Sequence, residues 1–234
     1  MSAPSVTVVN RLLQGLQTKD CARIMERCEP VELVFGDILC EPSQAFRHVY
    51  FPRTGFISRV TTLGGHQPLE MGLIGNEGML GVTLVLGINA APMRAVVQGA
   101  GAALRMTAAQ FRRELRQSPG LLRVLNRYLY VLVTQFAQLA ACAYFHEIEP
   151  RLACWLLMTH DRAHADHFHL TQAFLAGMLG VRRSGVTIAA GALQSREIIH
   201  YTRGEIHILD RKGLEAASCG CYSAQIENYE RIFA

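Results

Sequence analysis

The stretch that decides the fold runs from Thr171 to Asp210, TQAFLAGMLGVRRSGVTIAAGALQSREIIHYTRGEIHILD. Thr171 is of a type that caps helices, and Phe174, Leu175, Met178 and Leu179 follow it on one face at helical spacing. Gly180 supplies a tight turn after that helix. A second helix is expected to start around Arg182 to Ser184, with Val186, Ala189, Ala190 and Leu193 facing inward. The small residues on that face allow close approach to the first helix and leave Arg183, Ser184 and Thr187 toward solvent. Two short helices about a glycine turn describe a helix-turn-helix. Beyond it, Ile198-Ile199-His200-Tyr201, a turn at Arg203-Gly204 and Ile206-His207-Ile208-Leu209 read as a two-stranded wing. The stretch is expected to be a winged helix.

A recognition helix in the major groove presents its N-terminal residues to base edges, where Arg makes two bonds to guanine and Ser or Thr serves several bases. Arg183, Ser184 and Thr187 are therefore the candidate base-reading residues. Thr171, Gln172, Arg182 and Arg203 fall where helix starts and a wing tip would meet phosphates, contacts that position a protein without specifying sequence. Taken alone, Arg182-Arg183 would be an ordinary solvated basic pair; the pattern around it favours the DNA reading.

Upstream the texture differs. From Val31 to about Met106, brief apolar runs such as ELVF, HVYF, FISRV, EMGLI and AVVQ alternate with glycine and proline turn signals, as in a chain of short antiparallel strands. A small β-roll of jelly-roll type is expected, preceded by short helices before Arg27, with Thr18 or Asp20 as a cap. A short helix follows at Ala108 to Leu115, and Pro119 suits the first turn of another.

That next helix is the most periodic segment in the chain. Leu122, Leu125, Leu129, Leu132, Phe136, Leu139, Ala143 and His146 recur three and four apart, on one narrow seam. The expected partner for the seam is the same helix of a second copy; the alternative is a core helix packed on its own domain. The uncharged run Tyr128 to Phe145 approaches membrane-spanning length, but Thr134, Gln135 and Gln138 interrupt it and the larger apolar residues keep to one stripe. No membrane contact is expected. Glu149-Pro150 is expected to break the helix and set a boundary near Ile148. The polar stretch Asp161 to His169, with His164, His167 and His169, reads as a solvated connection, because beyond Asp166 no cysteine or carboxylate stands at a recognised ligand spacing from these histidines. The overall expectation is an α+β chain: a β-roll domain at 1–117, a dimerisation helix at 118–147 and a winged helix-turn-helix domain at 148–234.

The 234 residues are half hydrophobic and 18% charged, a globular composition with a formal charge of +4, which permits an anionic partner without demanding one. Seven cysteines with no dense framework fit a reducing compartment, and the N-terminus lacks the build of a secretion signal, so a cytoplasmic location is expected. No nucleophile elbow, phosphate loop or zinc-binding His-carboxylate helix is present, which argues against an enzyme.

Three motifs carry a family likeness: F51-P52-x-x-G55, the run L73-I74-G75-N76-E77-G78-M79-L80-G81, and L179-G180-V181-R182-R183-S184-G185-V186-T187. Together with the seam helix they resemble the Crp/Fnr superfamily of bacterial transcription regulators over nearly the whole chain. The resemblance implies a homodimer with a sensor roll of the cyclic-nucleotide-binding type, a winged helix on palindromic double-stranded DNA, and RNA polymerase as a further partner. Cyclic-nucleotide binders of this fold carry a Gly-Glu-Leu cassette and a later Arg followed by Ser or Thr and Ala. The nearest stretches here are Gly81-Val82-Thr83 and Met93-Arg94-Ala95, without the carboxylate. Glu70, Gly81, Val82 and Arg94 remain the candidate effector pocket, for a signal other than cyclic AMP. Oxygen-sensing members hold an iron–sulfur cluster on four cysteines, three of them tightly spaced; Cys21, Cys28 and Cys40 are spread apart here, with Cys142 far downstream. No cofactor and no metal are expected. Cys219 and Cys221 form a C-x-C pair that by itself cannot complete a tetrahedral site. The competing reading is a ligand-binding or redox-responsive dimer that does not read DNA sequence.

Overall fold

The computed structural model describes residues 9–233; the first eight residues of the expected β-roll domain lie outside the described residues. In chain order the helices are α1 (Arg11–Gln14), α2 (Thr18–Arg27), α3 (Ala108–Gln117), α4 (Pro119–Phe145), α5 (Ile148–Ala163), α6 (Gln172–Leu179), α7 (Arg183–Ser195), α8 (Arg211–Ala217) and α9 (Cys221–Phe233). The strands are β1 (Glu29–Leu33), β2 (Ile38–Cys40), β3 (His48–Pro52), β4 (Phe56–Thr61), β5 (Leu69–Ile74), β6 (Arg94–Gly99), β7 (Gly101–Thr107), β8 (His167–His169), β9 (Ile199–Thr202) and β10 (Glu205–Ile208). Mixed helix and strand, with antiparallel sheets first, one long helix and a C-terminal helix-turn-helix, is the architecture the sequence implies.

By packing, the chain divides into two compact units. One holds the residues up to Ile57 together with Ile74–Leu129; the other holds Ser58–Leu73 and the chain from Tyr130 onward. The long helix is thus not a body of its own, since Leu129 and Tyr130 fall in different units.

In the first unit, β7 is the central strand of the sheet β1-β7-β3 and is antiparallel to both neighbours. The chain's other roll sheet has the order β2-β6-β4-β5. Phe51 of β3 and Phe111 of α3 meet edge to face at 6.3 Å and are fully buried with Met79, Val97 and Met106. Burying one such side chain contributes about 2–3 kcal/mol. Asn10 ties the entry of the chain into this core. Its Oδ1 accepts from the amides of Leu12 and Leu13, and its Nδ2 donates to the carbonyls of Pro52 and Gly78 at 3.0 and 2.8 Å. Thr18 and Asp20 do not cap α2; its N-cap is Gln17, and Asp20 instead accepts from Ser118 Oγ at 2.6 Å. Fully buried Glu114 is paired with both Arg23 and Arg27 at 2.9 Å, joining α3 to α2. A buried carboxylate with two cations is costly to break, because removing one partner leaves charge without compensation.

In the second unit, α5 is buried nearly all round through Leu152, Ala153, Cys154, Trp155, Leu156 and Leu157 and packs on α7 and α8. The helix break lies at His146-Glu147, two residues before the expected boundary residue Ile148 has passed into α5. Pro150 therefore starts a helix rather than ending one: it sits in the first turn of α5, where its missing N–H is an orphan in any case. The connection expected between Asp161 and His169 is only partly a loop. The helix α5 continues to Ala163, and His167–His169 pairs with β10 as a third strand, giving the sheet β8-β10-β9. One buried side chain, Phe168, suffices to fix so short a strand.

Candidate nucleic-acid interface and a buried cysteine cluster

The helix-turn-helix is built from local signals. Thr171 Oγ1 accepts from the amide of Phe174 at 3.2 Å and caps α6. Gly180 ends α6 at φ 64°, a left-handed turn that favours glycine, and an added Cβ would stand 2.9 Å from Leu69 Cδ1, a contact that a shift of the leucine side chain relieves. Val186, Ala189, Ala190 and Leu193 are buried as the spacing predicts, while Arg182, Arg183, Ser184 and Thr187 are exposed at the start of α7. Arg182 is the N-cap residue and offers no side-chain cap hydrogen bond to α7.

The wing is a two-residue hairpin in which Thr202 pairs with Glu205. Arg203 at φ 48° and Gly204 at φ 88° form the turn, the double left-handed geometry that matches strand twist. Arginine in that conformation is strained, and such strain concentrates at functional positions. Behind the wing, Glu205 accepts from His167 and His169, each at 2.5 Å, and is held below the usual carboxylate range, first by the His169 hydrogen bond.

Thr171, Gln172, Arg183 and Arg203 come together, with Tyr201 and Gly204, around a single cleft of about 380 Å³. Four of the seven candidate DNA residues thus share one surface. Tyr201 Oη donates to the carbonyl of Leu170 at 2.7 Å, and burial pushes the phenol up against the opposing effect of Arg183. Thr187 Oγ1 donates to Gln172 Oε1 at 2.8 Å and ties α7 to α6. Two surface residues escape a reading based on polarity: Tyr201, and Ile188 on the outer face of α7, which is 74% exposed.

Of the candidate effector residues, Glu70 lines a cavity of about 330 Å³ with Trp155 and Met158. The Glu70 carboxylate accepts from Ser58 Oγ and Trp155 Nε1, both at 2.7 Å. Arg94 pairs with Glu41 at 2.9 Å on the surface, Val82 is buried in a 3₁₀ turn, and Gly81 packs on Val49. Each is taken up by its own neighbours.

Of the expected dimer seam, Leu125 and Leu132 are buried within their own chain, Leu129, Phe136 and Leu139 are half-buried, and Leu122 and Ala143 are exposed. The Arg59 guanidinium lies 4.9 Å over the Phe136 ring. The stripe that faces solvent is a different one, Tyr130, Val133, Ala137, Ala140 and Tyr144, with the same alternation of three and four. The helix is apolar on two faces, and its period alone does not say which face its own chain covers. This is also why α4 is long and apolar enough, by composition, to cross a membrane.

Beside α4, four donors that lie far apart in sequence converge. Cys142 Sγ, His146 Nδ1, Cys219 Sγ and Cys221 Sγ could hold a metal ion, all lying within 4.8 Å of one another. Cys142 and His146 are one turn apart at the end of α4, and Cys219 and Cys221 lie where α9 begins. The C-x-C pair, insufficient alone, acquires two partners through the fold. Hydrogen bonds from Cys142 and then Cys154 pull the Cys219 thiol well below its ordinary value.

Residues 150–217 match the Crp-like helix-turn-helix domain family. No protein of curated function matches the chain by sequence. Among solved structures, a protein of Eubacterium rectale assigned to the Crp/Fnr family of transcriptional regulators aligns with a TM-score of 0.69 at 15% identity, over 88% of this chain and 96% of that one. FixK2 from Bradyrhizobium japonicum aligns at 0.68 and 13% identity, over 82% and 98%. A CRP/FNR-family transcriptional regulator of Thermus thermophilus aligns at 0.67 and 20% identity, over 81% and 98%. The domain match and the fold agree: residues 150–217 match the Crp-like helix-turn-helix domain, and the chain's fold is like that of solved regulators of the Crp/Fnr family.

Proposed function

We propose that this chain is a homodimeric, cytoplasmic transcription regulator, not an enzyme, that reads a palindromic operator in double-stranded DNA through α7. The observation that carries the reading is the cleft at the start of α7, where Thr171, Gln172, Arg183 and Arg203 present donors to one surface. Arg183, Ser184 and Thr187 read base edges, and Ile188 adds an apolar contact of the kind a thymine methyl takes. Thr171, Gln172, Arg182 and the wing tip Arg203 meet phosphates. The two copies associate through the exposed stripe of α4 from Tyr130 to Tyr144, since an apolar stripe of that length is otherwise left to water. Half-sites then lie about 34–36 Å apart, one helical turn of DNA.

The proposed input is a signal other than a cyclic nucleotide, because Val82 stands where a ribose-binding carboxylate is needed and Arg94 is paired with Glu41. RNA polymerase is the proposed downstream partner. Selection from random duplex DNA with the full chain tests the reading. A two-fold symmetric enriched site supports it; no enriched sequence, with salt-dependent binding alone, would leave the non-DNA dimer as the better account.

A further inference from the structure

We propose that Cys142, His146, Cys219 and Cys221 form a tetrahedral site for one thiophilic divalent cation of the zinc class, holding α9 against the end of α4. The distances fit a single ion. A tetrahedral metal about 2.3 Å from each sulfur and about 2.0–2.1 Å from an imidazole nitrogen sets neighbouring donors roughly 3.8 Å apart for two sulfurs and roughly 3.6 Å for sulfur and nitrogen. Cys142 Sγ and Cys219 Sγ are 3.7 Å apart, and Cys221 Sγ and His146 Nδ1 are 3.5 Å apart. All four donor atoms lie within 4.8 Å of one another, so the wider pairs need only close by about 1 Å or less around one ion.

The donor set is soft. Three thiolates and an imidazole suit Zn²⁺ over Mg²⁺ or Ca²⁺, which take oxygen. Four protein ligands leave no open position, which makes the site structural rather than catalytic. Binding replaces protons with metal: Zn²⁺ joins three thiols and one neutral imidazole, and three protons leave to solvent, giving a complex of net charge −1.

The surroundings orient the ligands. The Cys219 amide donates to the carbonyl of Pro150 at 3.3 Å, which fixes the backbone that carries the C-x-C pair. Entry is open as well, because a cavity of about 330 Å³ is lined by Gln135, Leu139, Cys142, Cys154 and Cys221. The contrasting account is a packed cluster of neutral thiols that binds nothing, since free cysteine packs as a small hydrophobe.

The test uses the untagged full chain, purified reduced and without chelator, with elemental analysis followed by Co²⁺ exchange. One zinc per chain is expected. Cobalt should give tetrahedral d–d bands and near-ultraviolet charge transfer of three thiolates. The Cys219→Ser/Cys221→Ser variant should lose both, with zinc content about ten-fold lower or less. The His146→Cys variant should keep the ion and add a fourth thiolate to the charge-transfer band, and Cys28→Ser, outside the cluster, should change neither. Because the wild-type spectrum is the primary readout, a variant that fails to fold does not remove the test. Reduced wild-type protein without zinc and without cobalt bands would overturn the proposal, as would bound iron with sulfide, or a Cys142–Cys219 disulfide in its place.

Discussion

Replacing Glu70 by glutamine should make the chain more stable at pH 8 than the parent and nearly equal to it at pH 5. Glu70 is 5% exposed, and its two oxygens accept from Ser58 Oγ and Trp155 Nε1 at 2.7 Å. Burial pushes its carboxyl up from 4.5 to about 7; the hydrogen bonds from Ser58 and Trp155 and the charges of Arg162 and Arg59 only partly oppose this. Between those two values the folded chain holds a proton that the unfolded chain has released. Stability therefore falls as pH rises through that window and is flat above about pH 7. At about 1.4 kcal/mol per pH unit, the gap amounts to about 3 kcal/mol. Glutamine keeps the acceptor for Trp155, offers an N–H to Ser58 and does not titrate. Urea unfolding followed by fluorescence reads this site directly, since Trp155 is the chain's single tryptophan. Measured from pH 5 to pH 8 at one protein concentration, the difference between parent and variant should open with rising pH. Parallel profiles would refute the argument and would mean that the carboxylate is solvated or fully compensated.

Arg183→Ala should weaken operator binding by about 1–3 kcal/mol and relax preference at one base position, as read by binding to single-base operator variants. Arg203→Asn keeps a residue tolerant of the left-handed turn while removing the charge; it should weaken binding to all sequences alike and lower the salt slope of Kd by about one. Thr171→Ala removes the α6 cap and should cost about 1 kcal/mol in urea unfolding. Val133, a 64% exposed member of the α4 stripe, is the place to split a dimer. Val133→Glu should sediment as a monomer near 25.9 kDa with its Trp155 fluorescence unchanged, and an unchanged dimer would move the interface off this face.

The helix-turn-helix is legible in the sequence because each step is signalled locally: a capping threonine, a glycine at the turn, small residues on the inner face, and Arg-Gly at the hairpin. The third wing strand is not legible, because β8 is three residues long and only Phe168 points inward. Histidines at His167 and His169 look like loop residues until β10 places Glu205 opposite them. The α4 seam differs at Leu125 and Leu132, which are buried within their own chain, for a different reason: the helix carries two apolar stripes, and periodicity alone does not say which one its own core covers. The cysteine cluster is only half legible: Cys142–His146 and Cys219–Cys221 are each local pairs, but the two pairs are brought together by the fold, Cys142 and Cys219 being 77 positions apart.

That packing also orders the making of the chain. Thr134 on α4 is met by Asn228 Nδ2 on α9 at 2.7 Å, across 94 residues of sequence. At about 5–20 residues per second, ribosomes add that length in roughly 5–20 s, during which the end of α4 waits for its cover. The winged helix between them uses short-range pairings, β9 with β10 and α6 with α7, which can form before α9 is made. Chains stalled before residue 221 should accordingly hold a folded wing while Cys142 still reacts with alkylating reagent. Docking of α9, rather than formation of the helix-turn-helix, is the step that completes this half of the molecule.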